Sequence, residues 1–233
     1  MIDLYFLFIV LALLASIEAS TSISRKVGYI LKTPESGFIF QSSLALISRA
    51  LVFMFMPALG YMSDTGTIEY SLMELLSMYI LIPFFLLMTF LFRNKIEIIY
   101  AKYVMRIKLF GSLFKGKIKI NYRTKNIKII NIKSKFYKLY AIVIIAYIPY
   151  YISWTVIIML LGEYQDNRGL ILGLSSILTG INTIILTVFI DPQLGKLGKY
   201  KYTINRIYED MIFLRFISSV LGIIFILMVY YIL

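Results

Sequence analysis

Apolar residues fall into six long runs along the chain. The runs cover residues 2–21, 38–61, 71–92, 139–161, 169–190 and 211–233. Each run is about 20 residues or longer, which is the length that an α-helix needs to cross the hydrocarbon core of a bilayer. Turn residues or charges bound the runs, as at Pro34-Glu35-Ser36-Gly37 and Asp191-Pro192. The pattern predicts an all-α polytopic membrane protein, with one transmembrane domain of six helices over residues 1–233.

The composition excludes several classes of protein. Hydrophobic residues make up 60% of the 233 residues and charged residues 15%, which is too apolar for a soluble core. The chain has no Cys and no His. Disulfides, thiolate-bound metals and His-based catalysis are therefore excluded. We expect no cofactor and no metal, and any site must be built from Asp, Glu, Arg, Lys, Ser and Asn.

The basic residues sort by loop. The first, third and fifth connections carry 3, 14 and 4 of the 24 Lys and Arg residues, whereas the opposite loops carry only Arg168. Arg49 and Arg215 lie inside apolar runs. Because basic loops stay in the cytoplasm, this distribution predicts that both termini are extracytoplasmic. The net charge of +12 is therefore explained by the basic cytoplasmic loops. For this reason we expect no binding to nucleic acid.

The third connection, residues 93–138, is the longest and most basic loop. It contains an amphipathic stretch whose apolar positions are Ile96, Ile99, Tyr103, Met105 and Ile107. The favoured interpretation is a cytoplasmic surface segment that lies on anionic lipid headgroups. Direct contact between this loop and the phosphates of a ligand is the alternative.

Ionisable residues inside apolar runs are functional candidates because the bilayer makes them costly. Arg49 is the sharpest of these: it lies near the middle of the second run, beside Ser42 and Ser48. An arginine there costs on the order of 2.5–3.5 kcal/mol, so it faces either an anionic ligand or a buried partner, Glu18. Glu18 is seven residues before Arg25, which places both on one face of a helix. Glu18 is either a proton-coupling site or only the partner of Arg49.

The fifth and sixth runs also have polar faces. On the fifth, small or hydroxyl residues recur every three or four positions, at Gly169, Gly173, Ser176, Gly180, Thr183, Thr187 and Asp191. This stripe predicts a close helix contact at Gly173 and Gly180, or else the lining for a sugar headgroup. Asp191-Pro192 is expected to end the helix at the cytoplasmic interface. For Arg215, snorkelling to the interface is the favoured interpretation. Together these residues predict an inward-facing hydrophilic cavity with at least two arginines for an anion.

Three segments carry a family resemblance. They are Ile17-Glu18-Ala19-Ser20-Thr21-Ser22-Ile23-Ser24-Arg25-Lys26-Val27-Gly28, then Ser43-Leu44-Ala45-Leu46-Ile47-Ser48-Arg49 with Pro57-Ala58-Leu59-Gly60 and Asp64, and Gly180-Ile181-Asn182-Thr183-Ile184 through Asp191-Pro192. In this order and spacing, over about a third of the chain, they resemble the bacterial Amj family (alternate to MurJ). That family is implicated in flipping lipid II, the undecaprenyl-pyrophosphate-linked precursor of peptidoglycan, across the cytoplasmic membrane.

The resemblance implies a transporter of the bacterial inner membrane that serves cell wall biogenesis without covalent chemistry. Its partner would be lipid II or a related undecaprenyl-pyrophosphate-linked glycan, with anionic membrane lipids at the basic loop, and a homodimer is left open. The predicted substrate-binding residues are Arg49, Glu18, Arg25, Arg215, Ser42, Ser48, Asp191 and Asn182. A membrane enzyme of polyprenyl-phosphate metabolism and a non-catalytic scaffold are the alternative functions.

Overall fold

The computed structural model describes residues 2–66, 68, 70–118, 122, 136–164, 167–197 and 201–232, without the side chains of residues 2, 3, 54 and 201–205. These residues form an all-α fold. Its helices are α1 (Ile2–Ile30), α2 (Pro34–Asp64), α3 (Leu72–Tyr79), α4 (Leu81–Leu91), α5 (Arg93–Phe110), α6 (Tyr137–Glu163), α7 (Arg168–Ile185), a π-helical turn (Leu186–Ile190), α8 (Asp191–Leu197) and α9 (Lys201–Ile232).

Six helical segments are long and apolar enough to cross a membrane, which confirms the predicted fold class of a multi-pass membrane protein. They are Leu4–Ile30, Pro34–Asp64, Leu72–Leu91, Tyr137–Glu163, Arg168–Leu197 and Arg206–Ile232. The first differs most from its apolar run, which ends at residue 21. The helix continues because its polar residues are buried in the bundle, where hydroxyls such as that of Ser24 donate to carbonyls three residues back.

α1 is the central helix of the bundle, since it packs against α2, α4, α5 and α9. α6 packs against α7 and α9 and completes the core. α2 and α7 lie at the periphery: α2 packs mainly against α1, and α7 packs mainly against α6. Within the described residues, α2 and α7 do not pack closely against each other. Large apolar side chains such as Leu46 and Phe53 on α2 are exposed, as expected for a face that contacts lipid.

The fifth span does not end at Asp191-Pro192, so that prediction is wrong. The helix passes through the π-helical turn and continues as α8 to Leu197. Pro192 is the second residue of α8 and directly follows the π-helical turn, in which the Asp191 N–H donates to the Leu186 carbonyl. Asp191 forms an ion pair with Arg25, and its side chain is 37% exposed.

The close glycine contact also lies elsewhere than predicted. A Cβ atom added at Gly173 or Gly180 would meet no atom within 4 Å, so the small stripe of α7 makes no close helix contact inside the described chain. The backbones of α1 and α2 approach closely instead, at Gly28 and Gly37. A Cβ on Gly37 would lie 2.9 Å from both the Gly28 Cα and the Ser24 carbonyl oxygen.

We expect Gly37→Ala to lower the free energy of unfolding by about 1–3 kcal/mol, because the added methyl meets rigid backbone atoms. The matched control is Gly60→Ala in the same helix, where a Cβ meets no atom within 4 Å and the change should be neutral or slightly stabilising. Reversible unfolding in mixed detergent micelles measures both. Equal unfolding midpoints for the two variants would contradict the contact.

The basic loop contains a helix that packs onto the bundle. α5 contacts α1 and α2, and its buried side chains are Glu97, Ala101, Val104 and Ile107. Of the predicted apolar positions, Ile107 is buried and Ile99 is exposed, and Glu97 is buried as well. Residues 119–121 and 123–135 of this loop lie outside the described residues, and contact with anionic lipids stays a prediction.

Candidate ligand-binding cavity

A polar cavity of about 180 Å³ lies inside the bundle. Residues from α1, α2, α6, α7, the π-helical turn, α8 and α9 line it, near the end where α1 ends and α2 and α9 begin. Five of the eight predicted site residues meet there: Glu18, Arg25, Asn182, Asp191 and Arg215. The helical spacing of Glu18 and Arg25 had predicted that these two share a face.

Arg25 is buried and already paired. Its Nη1 donates to Asp191 Oδ1 at 2.7 Å, and its Nε donates to Gln41 Oε1. The guanidinium also lies 4.8 Å from the centroid of the Phe38 ring. The charge of Arg25 is therefore neutralised by a carboxylate from a helix 166 residues away in sequence.

Glu18 accepts a hydrogen bond from the hydroxyl of Tyr150 on α6. The predicted ion pair between Glu18 and Arg49 is not among those formed by the described residues. Arg49 is exposed on α2 and acts on Glu18 only at longer range. Glu18 is thus hydrogen-bonded by a neutral donor, and Arg215 of the same cavity also acts on it at longer range.

Arg215 does not snorkel, so the favoured interpretation of this residue is wrong. Its guanidinium stays in the bundle, 4.3 Å from the centroid of the Tyr147 ring, and lines the cavity. Within the described chain it forms no ion pair, and its buried Nε has no hydrogen-bond partner. Glu18 in the same cavity acts on Arg215 only at longer range. Since Arg25 is paired with Asp191, Arg215 is the cavity's available anion-binding group.

Further polar groups around the cavity lack partners. Asn182 is only 3% exposed, yet its Oδ1 has no hydrogen-bond partner among the described residues. The hydroxyls of Tyr147 and Tyr151 are likewise buried and unpaired there. Since buried polar groups are usually hydrogen-bonded, these atoms indicate a place for water or for a polar ligand.

The remaining three predicted residues are not part of the cavity lining. Arg49 and Ser42 are exposed on α2. Ser48 is buried, and its hydroxyl donates to the Leu44 carbonyl of its own helix at 3.3 Å. The structure therefore separates Arg49, the leading sequence candidate, from the site that contains Arg25 and Arg215.

Sequence reasoning missed a buried charge cluster behind the cavity. Lys26 Nζ donates to Glu97 Oε2 at 2.7 Å and to Glu209 Oε1 at 2.6 Å. Arg93 Nε donates to Glu209 Oε2 at 2.8 Å, and the Tyr122 hydroxyl donates to Glu97. Burial and the bond to Glu97 raise the pKa of Tyr122, so it remains a proton donor at neutral pH. We call these five residues the Lys26 cluster.

The cavity and the Lys26 cluster lie on different faces of the same two helices, because consecutive residues of an α-helix are about 100° apart around its axis. On α1, Arg25 lines the cavity and the next residue is Lys26. On α9, Tyr208 lines the cavity, donates to the Leu194 carbonyl at 3.1 Å, and is followed by Glu209. The charge-balanced cluster thus fixes the relative positions of the helices that carry the cavity's side chains.

A cluster of tyrosines on α6 was also missed. Tyr147, Tyr150 and Tyr151 contact one another, with ring centroids 5.3–6.1 Å apart. Their spacing of three and four residues places them on one helix face, and this is the sequence signal that could have identified them. Aromatic rings with hydroxyls suit an apolar wall that also hydrogen-bonds a ligand.

Comparison of the chain with models of protein families, with curated proteins and with solved structures finds no match. Among the described residues, no group of three or more acidic side chains is placed to hold a metal ion.

Proposed function

We propose that the protein is a flippase that moves an undecaprenyl-pyrophosphate-linked glycan, such as lipid II, from the inner to the outer leaflet of the bacterial cytoplasmic membrane. The observation that carries the proposal is Arg215, a guanidinium in a polar cavity of the bundle that forms no direct ion pair within the described residues, although Glu18 lines the same cavity. A forked guanidinium suits a pyrophosphate. The resemblance to the Amj family supports the same substrate.

The electrostatics of the cavity favour exchange over permanent binding. Arg25 is neutralised by Asp191, whereas Arg215 is unpaired within the described residues. In the proposed mechanism, the pyrophosphate first contacts Arg215 and then displaces Asp191 from Arg25. Asp191 competes with the pyrophosphate for Arg25 and pairs with Arg25 again when the headgroup leaves. This competition favours release of the anion.

The cavity must enlarge to admit a whole headgroup. Its volume of about 180 Å³ is below the roughly 300–1,000 Å³ of typical small-molecule sites. It suits a phosphate group better than a disaccharide-peptide. Movement of α2 away from α7 would enlarge it at least cost, because these two spans are the least buried of the six.

In the proposed orientation, the basic loops are cytoplasmic and both termini are outside. The chain has no native cysteine, so single cysteines report topology directly. We expect Lys117→Cys to react with an impermeant thiol reagent only after the cells are permeabilised. The control, Tyr164→Cys in the opposite loop, should react in intact cells. Labelling of Lys117→Cys in intact cells would show that the topology is the reverse of the proposed one.

Reconstitution into liposomes tests the function itself. The purified protein should move fluorescent lipid II to the opposite leaflet, measured by accessibility to an impermeant quencher, and should release no phosphate from it. Vesicles with heat-inactivated protein are the control. Phosphate release would indicate an enzyme of polyprenyl-phosphate metabolism, and no movement above the control would indicate a scaffold.

A further inference from the structure

A row of small and hydroxyl residues leads out of the cavity along α7. Thr183 and Asp191 line the cavity. The same helix face continues to the opposite end of the span through Gly180, Ser176, Gly173 and Gly169. At 1.5 Å per residue, Gly169 and Asp191 are about 33 Å apart along the axis, which matches the roughly 30 Å hydrocarbon core. We call this row the α7 track.

α2 carries a second row that leaves the same cavity in the same direction. Gln41 and Ala45 line the cavity, and Arg49 follows one turn later on that face. Arg49 is exposed and forms none of the ion pairs found in the described residues. An arginine that faces lipid in mid-span is costly, so this position favours water or an anion beside it.

Two observations on α7 point to a ligand where the track meets the cavity. Asn182 lines the cavity at 3% exposure, with no partner for its Oδ1 among the described residues. Four residues later the helix widens into the π-helical turn, Leu186–Ile190. Such turns occur frequently at functional sites. The small stripe therefore continues a polar site and is not an isolated pattern.

We propose that the gap between α2 and α7 is a hydrated route along which the headgroup of a lipid-linked sugar phosphate crosses the membrane, while its polyprenyl chain stays in the lipid. The inference rests on the proposed function and adds the path. Glycines keep the track free of bulk. The Thr183 and Thr187 hydroxyls donate to their own helix, at 3.1 and 2.7 Å, so their lone pairs remain to accept hydrogen bonds from water or sugar. Arg49 supplies a cation for the pyrophosphate halfway.

Thiol reactivity tests the route. Single cysteines replace Ser176 and Thr183 on the track, and Ile177 and Ile184 beside it, which are 59% and 61% exposed. In proteoliposomes open to reagent on both sides, a charged methanethiosulfonate should modify the track cysteines at least about tenfold faster. The reactive thiolate is suppressed in apolar surroundings, as at the isoleucine positions. Undecaprenyl-pyrophosphate-linked sugar should slow the reaction at the track alone.

Uniformly slow modification at all four positions would overturn the route. So would a disulfide-linked dimer formed by Gly173→Cys, since a second copy of the chain would then cover the track. These outcomes are distinct from failure of the proposed function. If wild-type protein moves lipid II but the track is unreactive, the path is wrong and the function stands. If the track reacts and is not protected by the lipid-linked sugar, the headgroup is not its occupant.

Discussion

Replacing Lys26 with methionine should lower the free energy of unfolding by about 3–5 kcal/mol. Lys26 is 1% exposed and donates to both Glu97 and Glu209. Methionine fills a similar volume but leaves two buried carboxylates facing each other, and Arg93 pairs with only one of them. Reversible unfolding in mixed micelles measures the loss.

The control for this change is Lys102→Met, which removes one positive charge from the exposed face of α5 and should alter stability by less than about 0.5 kcal/mol. A double variant that adds Glu97→Gln to Lys26→Met should recover much of the lost stability, because it leaves Arg93 and Glu209 as a balanced ion pair. If Lys26→Met and Lys102→Met have the same free energy of unfolding, the buried cluster does not stabilise the fold.

Replacing Arg215 with glutamine should weaken the affinity for a lipid-linked pyrophosphate roughly 30-fold, since loss of one buried charge partner costs about 2 kcal/mol or more. Arg215→Lys should also bind poorly. Lysine keeps the charge but cannot fork onto two phosphate oxygens, and it loses the planar stacking on Tyr147. Transport rate against lipid concentration in proteoliposomes separates the loss of affinity from a loss of turnover.

Arg168→Gln provides the same chemical change outside the cavity. Arg168 pairs with Asp64 at the surface, at 2.7 Å, and such exposed pairs contribute about 0–1 kcal/mol. The affinity of this variant for the lipid-linked pyrophosphate should match that of the wild type. If folded Arg215→Gln and Arg168→Gln bind the lipid-linked pyrophosphate with the same affinity, Arg215 does not contribute to the binding site.

The spans were predictable because the bilayer sets their length and the apolar runs meet it. The helix ends were less predictable. The run of Ser20 to Ser24 and then Arg25 and Lys26 looks like the approach to a loop, although these residues are buried inside the bundle. Hydropathy measures preference for lipid, and it does not detect a polar helix surrounded by other helices. Lys26 was therefore counted with the loops.

The site was predictable only within single helices. The periodicity of α1 placed Glu18 and Arg25 on one face, but no local pattern shows that Asp191 meets Arg25. Arg49 and Arg215 are similar in sequence terms, since each is an arginine in an apolar run with serines nearby. Which one enters the cavity depends on how each helix is rotated against its neighbours, and single-sequence periodicity does not determine this.

The contact between Gly28 and Gly37 has a mechanical consequence for α2. It holds the first turn of α2 against the backbone of α1, whereas the far end is joined to α7 by the exposed Asp64–Arg168 pair. The first turn of α2 is thus fixed by close backbone packing and can act as a pivot, whereas its far end is fixed only by a weak surface ion pair. With a lever arm of 27 residues, or about 40 Å, a tilt of about 10° would carry Asp64 about 7 Å while the pivot stays still. Such a tilt opens the bundle at the end away from the basic loops.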